Sequence, residues 1–399
     1  MCYSLYLHIP FCTHRCAYCD FNTYAGLEDS IPAYVEALCQ EIRAVAGSAS
    51  QRLEVQTVFF GGGTPSLLTA SQFEAILGSI RECFGLIPQA EVTLEANPGT
   101  LSPGYLRDLR GLGFNRISLG VQSAHPDELR QLERIHSYFD VIESVRGARR
   151  AGFANLNLDL IYGLPEQSLE RWQATVRLIL GLRPEHLSLY ALTLEHGTPF
   201  GRWSGRGLLS APDADRAADM YDWASQALEA AGYRQYEISN WSRPGLECRH
   251  NLQYWRNLPY LGLGAGAHGY AADTRYSNVL RVKTYIDRLA APFARLPFPL
   301  SPSTLDHQHI SPRVEMQETM MTGLRLTREG VSLAAFRQRF AVDLMDVFGK
   351  EIENLVGLGL LEWSSADSAA DKGRETDTVL RLTKRGRLLG NQVFLRFVD

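Results

Sequence analysis

Short apolar runs alternate along this chain with longer stretches whose apolar residues recur every three or four positions. The runs predict strands over 4–9, 55–60, 91–96, 116–120, 155–161 and 186–191. The longer stretches predict helices over 31–45, 71–84, 103–112, 127–132, 138–151 and 169–180. Ser71, with Glu74 three residues on, and Ser168 mark two helix starts. Gly113 and Gly152 stand where helices stop. Six strand-then-helix units in succession predict an α/β fold with a parallel sheet. With chemistry at each strand's C-terminal end, the expected form is a partial (β/α)6 barrel. A doubly wound open sheet is the alternative, and periodicity alone does not separate the two.

After a further helix over 211–231 the pattern changes. Residues 236–240 read as a strand, 248–255 and 261–270 as unusual loops, and the Pro-rich stretch 291–312 as a linker. The remainder, 314–399, reads as three helices, strands near 360–363 and 378–382, and a last helix. A polar tract over 364–376 reads as a mobile loop between those strands. The result is a smaller C-terminal α+β domain of winged-helix-like order. The expected division is 1–235 for the barrel, 236–300 for an extension and 301–399 for the C-terminal domain.

The chain has 399 residues, of which 45% are hydrophobic, so a large core is possible. A net charge of −4 argues against nucleic acid as a partner, for the winged-helix-like domain as well. No run of 18 apolar residues exists to cross a membrane. Met1 leads directly into Cys2 and a strand without a charged leader, which reads as a cytoplasmic, reducing location.

Three cysteines carry the chemistry. Cys12, Cys16 and Cys19 are spaced C-x3-C-x2-C in one short segment. Three thiolates there can hold three irons of a [4Fe–4S] cube and leave the fourth iron open to a small chelating molecule. Zinc, with His14 or His8 as fourth ligand, is the alternative. It would need one ion to take four ligands from one very tight loop. Seven cysteines, an odd number, give no disulfide framework. Cys39 and Cys83 sit in helical patterns and read as core fillers.

Other candidates fall at strand ends. Gly61-Gly62-Gly63-Thr64-Pro65 follows a strand, and its N–H and C=O groups suit a zwitterion. No Lys-Ser/Thr pair follows, which argues against a phosphate loop. Glu95 precedes Asn97 and Pro98, and is either a ligand contact or a solvated edge carboxylate. Gln122 lies just past a strand. Arg134 is either a carboxylate-binding fork or an exposed helix arginine. Asp159 sits inside an apolar strand, where a carboxylate is costly without a partner, and is read as functional.

Cys12-x3-Cys16-x-Tyr18-Cys19, Gly61–Pro65, Glu95, Gly120-Val121-Gln122-Ser123 and Asp159-Leu-Ile-Tyr-Gly-Leu-Pro together resemble the coproporphyrinogen-oxidase-like branch of the radical S-adenosylmethionine (SAM) superfamily. The resemblance covers residues 3 to about 270 with its motifs in order. It implies that Cys12, Cys16 and Cys19 hold a [4Fe–4S] cluster. It implies SAM contacts at Tyr6, Gly62, Gly63, Thr64, Glu95, Gln122, Arg134 and Asp159. The porphyrinogen-oxidising members have an extra cysteine two residues after the third, where this chain has Phe21, and a long N-terminal arm.

His250-Asn251-Leu-Gln-Tyr254-Trp255 instead resembles the H-N-x-x-Y-W signature of HemW-type heme chaperones. That resemblance implies a protein that binds heme as cargo and delivers it to apo-proteins, respiratory enzymes among them. An electron donor, a homodimer and transient membrane association are compatible with it. In the residues themselves, His250 offers an axial imidazole. Tyr254 and Trp255 offer porphyrin contacts, Asn251 completes the signature, and Cys248 is a second ligand candidate. A buried polar corner is the plainer reading of the same side chains. His268, among glycines, is a further ligand candidate whose setting suggests close approach of backbone to a ligand. The competing functions are a coproporphyrinogen III dehydrogenase, an enzyme with heme as substrate, and a zinc-stapled binding module.

Overall fold

A computed structural model describes residues 2–365 and 378–398. Most of the tract expected as a mobile loop, from residue 366 onward, lies outside the described residues. The chain forms two compact units. One comprises Met1–Ala227 and Pro259–His309, the other Leu228–Leu258 and Ile310–Asp399. Residues 236–258 therefore belong with the second unit and 259–300 with the first.

In the first unit the six expected strands are all present. They are β1 (Tyr3–Ile9), β2 (Glu54–Gly62), β3 (Gly85–Ala96), β4 (Arg116–Gln122), β5 (Leu156–Tyr162) and β6 (His186–Ala191). Between them run α1 (Ile31–Ser48), α2 (Ala70–Cys83), α3 (Pro103–Leu112), α4 (Pro126–Gln131), α5 (Tyr138–Arg150) and α6 (Leu169–Gly181). Consecutive strands are neighbours and every pair is parallel. A doubly wound sheet would reverse its strand order at a switch point. This order never reverses, which decides for the barrel-type winding.

The barrel is partial because β1 meets another strand on its far side. Tyr260–Leu263 pairs with it in parallel, Ser4 opposite Tyr260 and Leu7 opposite Leu263. His268–Ala271, Thr274–Asn278 and Thr304–His309 extend that edge. Residues 261–270 are thus largely strand, where the sequence suggested a loop, and the expected linker over 291–312 contains the edge strand Thr304–His309. Glycines hid the first of these, since they weaken strand propensity.

Alternation along the strands divides two environments. Leu5, Leu7, Phe60, Leu94, Ile117, Leu119 and Leu158 are fully buried apolar residues. Phe60 meets Phe73 of α2 edge-on at 5.1 Å, so this face packs under the helices. The other face is polar. Ser4 accepts from Thr57 at 2.6 Å, and Ser118, Asn157, Asp159 and His186 bond one another.

The N-cap of helix α2 lies two residues earlier than expected. Thr69 caps it in a reciprocal box with Gln72, in place of Ser71 and Glu74. Ser168 caps α6 and Gly113 ends α3 in the left-handed region, both as expected.

The second unit contains a hairpin (Arg234–Glu237 with Asn240–Ser242), a short helix (Arg249–Trp255), and helices Pro312–Gly323, Leu333–Phe340 and Leu344–Gly357. A three-stranded sheet follows the order Val331–Ser332, Thr378–Leu382, Leu361–Ser365. Leu324, Phe336, Phe348, Ile352 and Leu380 form its core. Three helices and then two antiparallel strands follow the expected winged-helix-like order, with the short strand Val331–Ser332 added after the first helix. The segment 248–255, expected as a loop, is helical instead. His250 and Tyr254 stand one turn apart, and their ring contact stabilises a helix that propensity alone does not favour.

Candidate cluster and cofactor site

The C-terminal ends of the strands open into a cavity of about 480 Å³. Its wall includes Cys12, Cys16 and Cys19, and also Gly62, Gly63, Thr64, Glu95, Gln122, Arg134 and Asp159. Residues spread over 148 positions of sequence thus face one space. Tyr6 is the exception among the candidates, since it is not in this wall. Its hydroxyl lies 3.0 Å from His8 Nδ1 and its ring stacks on Phe59 at 6.3 Å.

The cysteine loop is held from below. Ala17 packs with Leu132, Ile161, Leu164, Leu192 and Phe200, and Phe200 N–H donates to the Ala17 carbonyl at 3.0 Å. His8 Nε2 lies 2.9 Å from the Asn22 carbonyl at the loop's far end. Cys12 is buried, and Cys16 and Cys19 are half-buried. Burial pushes the Cys12 and Cys19 thiols up from their ordinary value, so taking up iron must release protons. Thr64 Oγ1 approaches Cys12 Sγ at 3.5 Å, and Arg134 Nη1 approaches Cys16 Sγ at 3.5 Å. Such donors stabilise negative sulfur. Three thiols on one loop, flanked by a hydroxyl and a cation and open to a cavity, form a donor set that fits a three-cysteine [4Fe–4S] cluster.

The glycine loop differs in one respect from its expectation. Its N–H groups are already engaged: Gly62 with Glu95 Oε2 at 3.2 Å, Gly63 with the Ile9 carbonyl at 2.9 Å, and Thr64 with the Phe11 carbonyl at 2.7 Å. Those bonds tie the loop to Glu95 and the cysteine segment. A ligand there meets oxygen acceptors, which suits an ammonium group. Gly62 sits at φ +108°, and a Cβ on it would lie 2.5 Å from the His8 ring. Only glycine fits that position.

Arg134 is drawn in. Its Nη2 donates to Asn97 Oδ1 at 2.6 Å and to the Gly120 carbonyl at 2.7 Å. The exposed-arginine alternative therefore falls away. Gln122 ends β4 at φ +68°, a left-handed conformation that a non-glycine residue adopts only under constraint. Glu95 is half-buried on the wall. Loss of water, with Asp159 nearby, pushes its carboxyl group up to about 8. Asp159 is likewise raised by burial, against hydrogen bonds from Asn157 and Ser118.

A prediction follows for Glu95. Its folded pKa stands above the ordinary 4.5, so the folded state binds more protons between 4.5 and about 8, and stability falls as pH rises through that window. Glu95→Gln removes the charge. The ligand-free variant should match wild type near pH 5 and exceed it by about 1–2 kcal/mol near pH 8. Denaturant melts across pH check this, and a pH-independent difference overturns it.

The sequence reading missed Ser118, Asn157 and His186, which orient the others, and weighed His8 only as a zinc ligand. The signal was present. In strands expected to be buried on both faces, polar residues at every second position (Arg116, Ser118; Asn157, Asp159; His186, Ser188) mark a shared polar interior.

The heme candidates lie in the second unit. His250 is 1% exposed, and its Nε2 lies 2.8 Å from the Tyr254 hydroxyl. Cys248 is fully buried. Trp255 lies beneath the Arg325 guanidinium, 4.4 Å from the ring centroid. Asn251 is half-buried on the same helix. His268, in the first unit, is exposed. Its glycine segment approaches the chain itself closely: a Cβ on Gly264 would lie 2.5 Å from the His8 carbonyl oxygen.

Residues 6–179 match the model of the radical SAM superfamily, and residues 310–366 that of the HemN C-terminal domain. Heme chaperone HemW of Lactococcus lactis is 38% identical over 99% of this chain and 97% of its own length. Its Bacillus subtilis counterpart is 37% identical over 99% of each. Heme chaperone HemW of Escherichia coli is 44% identical over 67% of this chain and 69% of its own. Among solved structures, the radical SAM enzyme coproporphyrinogen III oxidase (HemN) of Escherichia coli superposes with a TM-score of 0.80. It covers 99% of this chain and 90% of its own at 24% identity, a likeness of fold. Among the described residues no helix is long and apolar enough to cross a membrane. With end-to-end similarity to two of these relatives and both family models matched in order, the chain belongs to the HemW heme chaperone family of the radical SAM superfamily.

Proposed function

We propose that this protein is a heme chaperone: it binds heme and transfers it to apo-proteins, and it carries a SAM-binding [4Fe–4S] cluster on Cys12, Cys16 and Cys19. The observation that carries the cluster reading is the single cavity lined by the three cysteines and seven of the eight SAM candidates. The names of its relatives support heme as cargo. When bound, the cluster supplies an open iron for SAM and a store for one electron. The chain's own residues supply the rest. Gly62 and Gly63 allow close approach, Glu95 and Asp159 accept hydrogen bonds from the ligand, and Thr64 and Arg134 stabilise sulfur. Gln122 closes the wall, and Tyr6 steadies the site through His8.

The protein works in the cytoplasm in this reading, with an electron donor. Respiratory apo-proteins are among the recipients, reached by transient membrane association, and a homodimer is the working form. Heme engages His250, with Asn251, Tyr254 and Trp255 around it. Ligation through Nε2 then requires the His250–Tyr254 contact to open. His250→Ala is expected to weaken heme binding about tenfold or more. Tyr254→Phe, which removes the imidazole's partner, should speed heme uptake. Unchanged heme affinity and spectrum in His250→Ala would exclude His250 as the ligand.

The deciding experiment is anaerobic reconstitution, addition of one equivalent of heme, and the Soret band with and without SAM and reductant. A stable one-to-one heme spectrum with the porphyrin unchanged supports the chaperone. No heme binding, with coproporphyrinogen consumed, returns the assignment to a radical SAM coproporphyrinogen III dehydrogenase. Phe21, which stands at the position of that enzyme's extra cysteine and is 62% exposed at the cavity wall, argues against that outcome.

A further inference from the structure

The inner faces of β4, β5 and β6 carry a directed hydrogen-bond relay. It begins at His186, which is fully buried, with Nδ1 2.6 Å from Asn157 Oδ1. Ser188 Oγ donates to the same oxygen at 3.2 Å. An amide oxygen only accepts, so the His186 proton sits on Nδ1. Asn157 Nδ2 then donates to Asp159 Oδ1 at 2.7 Å and to Ser118 Oγ at 2.8 Å. Ser118 donates onward to Asp159 Oδ2 at 2.9 Å. Flipping the Asn157 amide would set its oxygen against the Asp159 carboxylate, so the orientation that donates to Asp159 is the one the network keeps.

Strand register builds this arrangement. Ser118, Asn157 and His186 lie abreast across the three strands, and Gly120, Asp159 and Ser188 lie abreast one layer nearer the cavity. Every donor in the relay points towards Asp159, which alone of the set reaches the cavity together with Ser118.

We propose that His186 and Asn157 are positioning residues for the cofactor pocket, locking Asp159 as a fixed acceptor for an O–H or N–H group of bound SAM. The inference rests on the reading of Asp159 as a SAM contact given above. A carboxylate held by both oxygens in a half-dry cavity loses little freedom when the ligand arrives, so its hydrogen bond to the ligand is preorganised. His186 and Asn157 themselves line neither the cavity nor the cysteine loop.

The test is SAM affinity by calorimetry on the anaerobically reconstituted full chain. His186→Phe is expected to weaken SAM about tenfold, and His186→Gln, whose amide still donates to Asn157, to keep most of the affinity. In an Asp159→Asn background, His186→Phe should cost nothing further, since the two act through one bond. Equal losses from Phe and Gln, or additive losses in the double variant, overturn the inference. Nitrogen-15 NMR of the ligand-free wild type gives a readout that survives misfolded variants. The Nδ1-protonated tautomer of His186 is expected, and the Nε2-protonated form overturns the relay. A wild type that binds no SAM sinks the parent reading and this one with it; a wild type that binds SAM but shows additive losses sinks this one alone.

Discussion

Cys16→Ser is expected to abolish the SAM-responsive [4Fe–4S] signal. A serine hydroxyl is a poor iron ligand at neutral pH, and the other two thiols cannot span the three irons that need a protein sulfur. Cys16 is the cysteine nearest a cation: Arg134 Nη1 approaches its sulfur at 3.5 Å while Nη2 holds Asn97 and the Gly120 carbonyl. Losing the Cys16 thiolate therefore removes a cluster ligand and leaves a charged group facing the cavity without its anion. Iron and acid-labile sulfide should fall well below four per chain after reconstitution. The electron paramagnetic resonance signal of the reduced cluster should no longer shift on addition of SAM. Fold should survive, because the loop rests on Ala17, Leu132 and Phe200 and not on the metal. A full, SAM-responsive cluster in this variant would remove Cys16 from the ligand set.

The largest effect on stability is expected away from the cavity, at Glu41. This side chain, on α1, is completely buried. Its carboxylate accepts five hydrogen bonds. They come from Gly264 N–H at 2.7 Å, Asn278 Nδ2 at 2.8 Å, Tyr285 Oη at 2.6 Å, Ser301 Oγ at 2.8 Å and Ser303 Oγ at 2.5 Å. One helix residue thus ties down four separate segments at and beside the sheet's far edge. Glu41→Ala leaves those donors buried without an acceptor and should cost roughly 3–5 kcal/mol. Glu41→Gln, which keeps the shape but turns one acceptor into a donor, should cost somewhat less. Thermal melts measure the total, and amide exchange at 264–303 should rise first. A loss below about 1 kcal/mol for the alanine variant would show the network to be replaceable by water.

Some of this protein was legible before any coordinates. Strand and helix order followed from apolar periodicity, because residues buried against a sheet repeat every two positions and those on a helix every three or four. The cysteine spacing identified the cluster candidate, since three thiolates on one loop are a local property of the chain. Glu95 near a strand end, Gln122 just past one and Asp159 inside an apolar strand were singled out by their positions. What failed was local too. Gly262, Gly264, Gly266 and Gly269 made a strand pair read as loop, because a missing side chain erases periodicity. The 248–255 segment concealed a helix whose stability comes from its tertiary contacts, among them Trp255 against Arg325.

The sequence by itself determined the α/β pattern, the candidate cluster loop and the residue types on offer. Only the tertiary structure decided that the strands run in unreversed order, since hydrogen-bond pairing between distant segments leaves no trace in local pattern. It alone brought Cys12 and Asp159 to one cavity, turned Arg134 inward onto Cys16, and engaged the glycine-loop N–H groups with the protein itself. It alone closed His250 against Tyr254. Each of these depends on which buried polar group finds which partner, and that is fixed by three-dimensional complementarity, because an unpaired buried donor costs more than any local preference can return.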